Sequence, residues 1–181
     1  MPTRIVLLIG VIVILITAPT HAAPTTAVLG GGIVINEIMP SPLVGLGPDG
    51  YDTDNNGTVD NLDEYIELYN TANVAIDISG WQLWDSTADA WFTFPSNSIV
   101  GPNGYVLVIA AVQTDGTLPT LPSGSLAFEA SVGNQIISAL GDNIVLLDPD
   151  GEQFIQATYS DTPDDPPTDE LNYDGFPETA T

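Results

Sequence analysis

The sequence predicts an all-β protein in which residues 33–160 fold as one β-sandwich domain. Short apolar runs recur between turn residues at fairly regular spacing, and no stretch has the period of an amphipathic helix. About eight such runs in roughly 130 residues suit two packed sheets. Three Trp, six Tyr and five Phe supply bulky core side chains in a chain that has no cysteine.

The first two strands are predicted at residues 33–38 and 64–70. Pro40 ends the first, because proline cannot donate to a strand ladder. In the second, Ile66 and Leu68 alternate with larger polar or aromatic residues, so one face of this strand is expected to lie in the core.

Similar runs bounded by glycine, proline, asparagine or serine predict the remaining strands. Residues 105–111 are almost continuously apolar, which favours a strand buried on both faces. The turn at residues 148–151 joins the last two strands as a hairpin. In chain order, these strands cover residues 74–78, 81–84, 91–94, 105–111, 126–128, 144–147 and 153–159.

Both ends of the chain differ from this body. Residues 1–22 are typical of a secretory signal, with Arg4 before an apolar run at residues 5–16. That run is shorter than the roughly 20 residues that span a bilayer, so we expect cleavage and a secreted, extracellular or cell-surface protein. Residues 23–32 form a flexible arm ending in three glycines, and residues 161–181 form an acidic, Pro-rich tail.

The composition excludes several classes of function. The chain has 24 acidic residues, one Lys or Arg and one His, and its formal net charge is −23. Past the predicted signal there is no Lys, Arg, His or Cys, which excludes Ser-His-Asp hydrolases, Schiff bases and thiolate zinc sites. Nucleic acid and anionic membranes are not expected partners, because no cation remains to neutralise phosphate. The side chains that remain available for function are carboxylates, hydroxyls, amides and aromatic rings, which suit hard cations, hydrogen bonding and stacking.

Six segments in the same order resemble the lamin tail domain in its prokaryotic secreted version. They are IVINEI (33–38), DEYIELYN (63–70), IDISGWQL (76–83), FTFP (92–95), GYVLV (104–108) and LGDNIVLLD (140–148). The resemblance covers residues 33–160. It implies an immunoglobulin-like sandwich with a structural or binding role and no catalysis.

An acidic stretch between the first two strands fits the calcium-loop template. Counting from Asp52 as position 1, oxygen-bearing side chains recur at alternate positions, and Gly57 occupies the sharp turn at position 6. Several oxygens therefore converge on one hard cation, for which we predict Ca²⁺, and the carboxylates would repel each other without it. The predicted ligands are Asp52, Asp54, Asn56, Thr58 through its carbonyl, Asp60 and Asp63.

The loop departs from the template in two ways. Position 12 is Asp63 where the template has Glu, so Asp63 could bind through one oxygen or the neighbouring Glu64 could replace it. No flanking helix is predicted, because the loop runs directly into the strand at Tyr65. We expect a structural, EF-hand-like insertion at about residues 41–63; the alternative is a solvated acidic insertion that holds no ion.

Other candidate residues carry weaker signals. Glu37 and Glu67 could face each other like a glycosidase pair, but such residues at a strand edge are more often solvated. Trp81 is predicted in the core, and Trp84, beside a polar stretch, is the best candidate for an exposed aromatic that stacks on sugars. The aspartates of the 148–150 segment are predicted as turn residues.

Together these features predict a non-catalytic, secreted, calcium-binding structural module. We expect it to assemble with itself into a filament, sheath or surface layer, through strand exchange or edge pairing, or to associate with extracellular surface components. The alternative is a soluble extracellular module that binds a carbohydrate or a surface protein.

Overall fold

The computed structural model describes residues 25–26, 32–42, 51–85, 89–151 and 153–160. The predicted signal, the acidic tail, most of the 23–32 arm and residues 43–50 of the predicted insertion lie outside the described residues. The strands are β1 (Thr25–Thr26), β2 (Ile33–Met39), β3 (Tyr65–Asn70), β4 (Ile76–Asp77), β5 (Gln82–Asp85), β6 (Asp89–Thr93), β7 (Ile99–Val100), β8 (Tyr105–Ile109), β9 (Leu126–Glu129), β10 (Gly141–Leu147) and β11 (Phe154–Ser160). No helix in these ranges is long and apolar enough to cross a membrane.

Two four-stranded sheets form the sandwich that the sequence predicts. The first sheet has the order β2-β3-β8-β9 and the second has the order β11-β10-β5-β6. A small third sheet pairs β1, β4 and β7. Neighbouring strands are antiparallel except for the β8–β9 and β1–β4 pairs, which are parallel. This all-β arrangement is that of an immunoglobulin-like β-sandwich.

The main core lies between the two large sheets. Alternation along β3 directs Ile66 and Leu68 inward, as predicted, and both are fully buried. Ile144 and Leu146 of β10 and the predicted core residue Trp81 join the same cluster. Removing each such side chain from water contributes about 1.5–3 kcal/mol to holding the two sheets together.

Trp84 corrects one prediction. The sequence places it beside a polar stretch as an exposed aromatic, but the structure buries it in β5, with 6% of its surface accessible. It packs with Val145, Leu147 and Phe154 on the face of the second sheet that is turned away from the main core. Its indole N–H donates to Gln82, so Trp84 offers no platform for a sugar.

The outer face of the first sheet carries a third apolar cluster, and this cluster positions the acidic loop. Tyr65, Leu107 and Ile109 project from β3 and β8, and the connection between β8 and β9 packs on them through Val112 and Leu121. The β8–β9 connection is therefore held beside the start of β3, where the acidic loop ends.

Candidate metal centre

The acidic loop begins by wrapping around the carboxylate of Asp52. Its Oδ1 accepts the backbone N–H of Asn56 at 3.1 Å, and its Oδ2 accepts the N–H of Gly57 at 2.8 Å. Gly57 has φ +88°, a left-handed conformation that glycine adopts without strain. The predicted turn at position 6 is therefore present, and it brings the following residues back towards Asp52.

The end of the loop is fastened to its beginning by Asp63. Asp63 lies in the 3-10 turn Asn61–Asp63, and only 1% of its surface is exposed. Its Oδ1 accepts the N–H of Thr53 at 2.8 Å, and its Oδ2 accepts the N–H of Asp60 at 3.0 Å. The hydroxyl of Thr53 donates to the Asp63 carbonyl at 2.6 Å.

Three carboxylates converge at this point. One oxygen from each of Asp52, Asp54 and Asp63 lies within 4.8 Å of the other two, and Asp54 and Asp63 are buried. Burial raises the pKa of the Asp63 carboxyl, and the nearby Asp54 carboxylate raises it further, whereas three backbone hydrogen bonds lower it. Because the described residues include no Lys, Arg or His, this charge has no internal counter-ion. The group is able to hold a metal ion.

The other three predicted ligands, Asn56, Thr58 and Asp60, take part in hydrogen bonds of the same loop. The Asn56 amide donates to Asp54 Oδ2 at 3.2 Å, while its oxygen accepts the Thr58 N–H at 2.7 Å. Asp60 caps the 3-10 turn by accepting the Leu62 N–H at 2.8 Å. Asn56 therefore contacts the carboxylate of Asp54 directly, whereas the carboxylate of Asp60 is not among the three that converge.

Glu64 is not an alternative to Asp63. Glu64 begins the extended chain that continues as β3 and lies two residues before Ile66, so its side chain is on the core face of the sheet. There its carboxylate accepts the backbone N–H groups of Ile136 and Ile137. Burial raises the pKa of Glu64 to about 7, and the carboxylates of Asp85 and Asp142 raise it too. Glu64 therefore fixes the β9–β10 connection to the core side of β3.

Gln113 is the residue at this site that the sequence analysis missed. Its side-chain amide donates to Asp60 Oδ2 at 2.7 Å, and its Oε1 accepts the Asn56 amide at 2.5 Å. Its backbone N–H donates to Asp54 Oδ2 at 2.7 Å. Because Gln113 lies 59 positions beyond Asp54, no local spacing pattern could have indicated it.

The turn after Gln113 completes this contact. The N–H of Thr117 donates to the Asp54 carbonyl at 2.7 Å. A Cβ atom on Gly116 would collide with the carboxylate of Asp54, so this close approach requires glycine. The β8–β9 connection thus forms one wall of the candidate metal centre.

The other acidic candidates are placed as follows. Asp148 accepts the N–H of Gln153 through its side chain and that of Gly151 through its carbonyl, as a turn residue does. Glu37 and Glu67 lie directly opposite each other on β2 and β3, the facing arrangement that the sequence allowed for them.

Comparison with known families matches residues 27–161 of the chain to the model described as Lamin Tail Domain. Comparison with curated proteins gives no match. The matched range spans most of the chain and contains both large sheets and the candidate metal centre. Members of this family are generally immunoglobulin-like modules without enzymatic activity. The chain belongs to the lamin tail domain family.

Proposed function

We propose that this chain is a non-catalytic, secreted structural module whose acidic loop binds Ca²⁺. The observation that carries the proposal is the convergence of Asp52, Asp54 and Asp63, of which Asp54 and Asp63 are buried. Uncompensated buried carboxylates repel each other, and one divalent cation offsets this cost for all three at once.

Calcium suits this loop better than magnesium. Ca²⁺ accepts six to eight oxygen ligands in a flexible geometry, whereas Mg²⁺ needs a strict octahedron and keeps several waters. The loop is rich in oxygen ligands at alternate positions, including Asn56, the Thr58 carbonyl and Asp60, and the proposal requires these groups to turn towards the ion. The inward shift of Asn56 and Asp60 would replace their present hydrogen bonds to Gln113.

Calcium is expected to raise the melting temperature and to protect the loop from proteases. A ligand at a hundred times its Kd stabilises the folded state by about 2.7 kcal/mol, which corresponds to several degrees for a domain of this size. The measurement is thermal unfolding and limited proteolysis of residues 41–63 in calcium, in magnesium and in EDTA.

A matched pair of variants tests whether the response comes from the loop. Asp52→Asn should lose the calcium response, whereas Asp115→Asn removes the same charge from the exposed neighbouring turn and should keep it. Equal responses from both variants, or melting curves that are the same in calcium and EDTA, would reject the calcium site.

We further propose that the module assembles with copies of itself outside the cell by exchanging its N-terminal strand. What supports this is β1: Thr25–Thr26, from the predicted arm, pairs in parallel with Ile76 and Asp77 of β4. This contact involves two residues on each strand and no turn links the two strands directly, so the same pairing could form between neighbouring molecules.

Assembly is tested by size-exclusion chromatography and negative-stain electron microscopy in calcium. The chain without its signal should form large assemblies, and deletion of residues 23–32 should convert them to monomers. Deletion of residues 161–181 serves as the control truncation and should leave the assemblies intact. A monomeric parent chain, or assemblies that survive loss of the arm, would exclude strand exchange.

A further inference from the structure

A cavity of about 290 Å³ lies on the outer face of the first sheet, beside the acidic loop. Its floor is formed by β2, β3 and β8, and its walls come from the start of the acidic loop and the β8–β9 connection. The lining residues that concern its chemistry are Glu37, Glu67, Tyr51, Tyr65, Leu107 and Leu121. Asp52 of the three-carboxylate group also lines the cavity, at the wall that faces the metal centre.

Two like charges are juxtaposed on the floor of this cavity. Glu37 and Glu67 are directly opposite in the antiparallel β2–β3 ladder, next to a bulge at Asn36. Like charges directly opposite each other in a ladder destabilise a sheet. The hydrogen bonds given to them by described residues come from neutral donors, the Tyr65 hydroxyl to Glu37 at 2.8 Å and the Asn36 amide to Glu67 at 2.7 Å. These bonds orient the two carboxylates but do not neutralise them.

The walls add aromatic and apolar surface to this charge. Tyr51 is 48% exposed, and its ring centroid lies 5.8 Å from that of Tyr65. An aromatic face next to carboxylates attracts a cation through its quadrupole. Leu107 and Leu121 provide the apolar contact along which an aliphatic stem can lie. A monovalent cation on a hydrocarbon stem matches all three components.

We propose that this cavity binds a basic side chain, lysine or arginine, presented by another protein. The charged head lies between Glu37 and Glu67, with Tyr51 over it, and the stem packs on the leucines. A second copy of this chain is a poor occupant, because its only basic residue is Arg4, within the predicted signal. The cavity is therefore a docking site for a different, basic partner, and this inference does not depend on self-assembly.

The test is an NMR titration of the ¹⁵N-labelled chain, without its signal, in saturating calcium. The probes are capped tripeptides Gly-Lys-Gly and Gly-Arg-Gly, with Gly-Gln-Gly and the Nε-acetyl-lysine peptide as neutral controls. The basic peptides should shift the amide signals of Tyr51, Tyr65 and Glu67, and 0.5 M salt should weaken the effect. The relative size of the lysine and arginine effects identifies the preferred side chain.

Variants separate the cavity from the general negative charge of the surface. Glu37→Gln and Glu67→Gln should each weaken binding about tenfold, or about 1.4 kcal/mol, since each removes one of the two charges that hold the basic head. Glu129→Gln removes the same charge from β9 of the same sheet, outside the cavity, and should bind like the parent. None of these residues belongs to the three-carboxylate group, so calcium binding should be unchanged in all of them.

Three results would overturn the proposal. The first is equal binding of the neutral and basic peptides. This comparison uses only the parent chain, so it does not depend on whether a variant folds. The second is equal weakening by Glu129→Gln, which would assign the effect to net charge. The third is a shift of the same signals by neutral monosaccharides and by none of the basic peptides, which would make the cavity a sugar site.

Discussion

Replacement of Asp63 by alanine is expected to lower the free energy of unfolding by about 3 kcal/mol in EDTA. The Asp63 carboxylate is buried and accepts backbone N–H groups from Thr53, Asp54 and Asp60. Alanine leaves these donors without their acceptor inside the loop, and each buried unsatisfied group costs about 1–3 kcal/mol. Relief of the repulsion between Asp63 and Asp54 offsets part of this loss, so 3 kcal/mol is less than the full sum.

The same variant should also lose the calcium response. In urea denaturation, the parent chain should gain stability on addition of calcium, whereas Asp63→Ala should unfold at the same midpoint in calcium and in EDTA. The control is Asp150→Ala, which removes an equal charge from the exposed β10–β11 turn and should change neither midpoint by much. A calcium response retained by Asp63→Ala would remove this residue from the site.

Replacement of Glu64 by glutamine is expected to stabilise the protein at pH 8, by on the order of 2 kcal/mol. Burial, followed by the carboxylates of Asp85 and Asp142, raises the pKa of Glu64 from 4.5 to about 7 in the folded state. Above pH 7 the folded chain therefore holds an ionised carboxylate that is more stable in the unfolded chain. Glutamine keeps an oxygen that accepts the N–H groups of Ile136 and Ile137, and it removes the charge.

The sign of the pH dependence follows from the same shift. Between pH 4.5 and 7 the folded state binds more protons at Glu64 than the unfolded state does, so the free energy of unfolding falls as pH rises. Below pH 4.5 and above pH 7 this residue contributes no slope. The measurement is urea denaturation from pH 5 to 8 in EDTA, which removes the pH dependence of metal binding.

The control for this prediction is Glu129→Gln, which changes the same charge at a residue of β9 that is not fully buried. The difference in free energy of unfolding between the parent and Glu64→Gln should grow from pH 5 to 8. The free energy of unfolding of Glu129→Gln should change with pH in parallel with that of the parent. Parallel curves for Glu64→Gln would show that Glu64 titrates alike in the folded and unfolded states. Tyr159, whose pKa is raised by burial and by the same carboxylates, stays protonated throughout this range.

Much of the fold could be predicted because its signals are local. The alternation in β3 depends on a period of two residues, and the β10–β11 hairpin is marked by its turn residues. The two-residue strands β1 and β7 were not predicted, because two residues carry no period and their pairing is set by tertiary contacts. Trp84 was misplaced for a similar reason, since contacts with β10 and not its polar neighbours in sequence determine its burial.

In the candidate metal centre, too, the local features could be predicted from the sequence and the tertiary contacts could not. The spacing from Asp52 to Asp63 predicted a group that the structure does bring together in part, because its members lie within twelve positions. Gln113 and Gly116 belong to a connection that sequence spacing cannot relate to this loop. The opposite direction of Glu64 could have been foreseen from the alternation of β3 extended back by one residue.

The contact between Asp54 and Gln113 has a consequence for a chain without cysteine. It joins two segments that are 59 positions apart and encloses the strands from β3 to β8. On the proposed function, an ion held by Asp54 strengthens this closure, so the cation acts as a reversible crosslink where other extracellular domains use a disulfide. A crosslink of this kind is insensitive to reductants and responds to chelators. The ambient ion concentration would therefore set how firmly the acidic loop and the β8–β9 connection are held together.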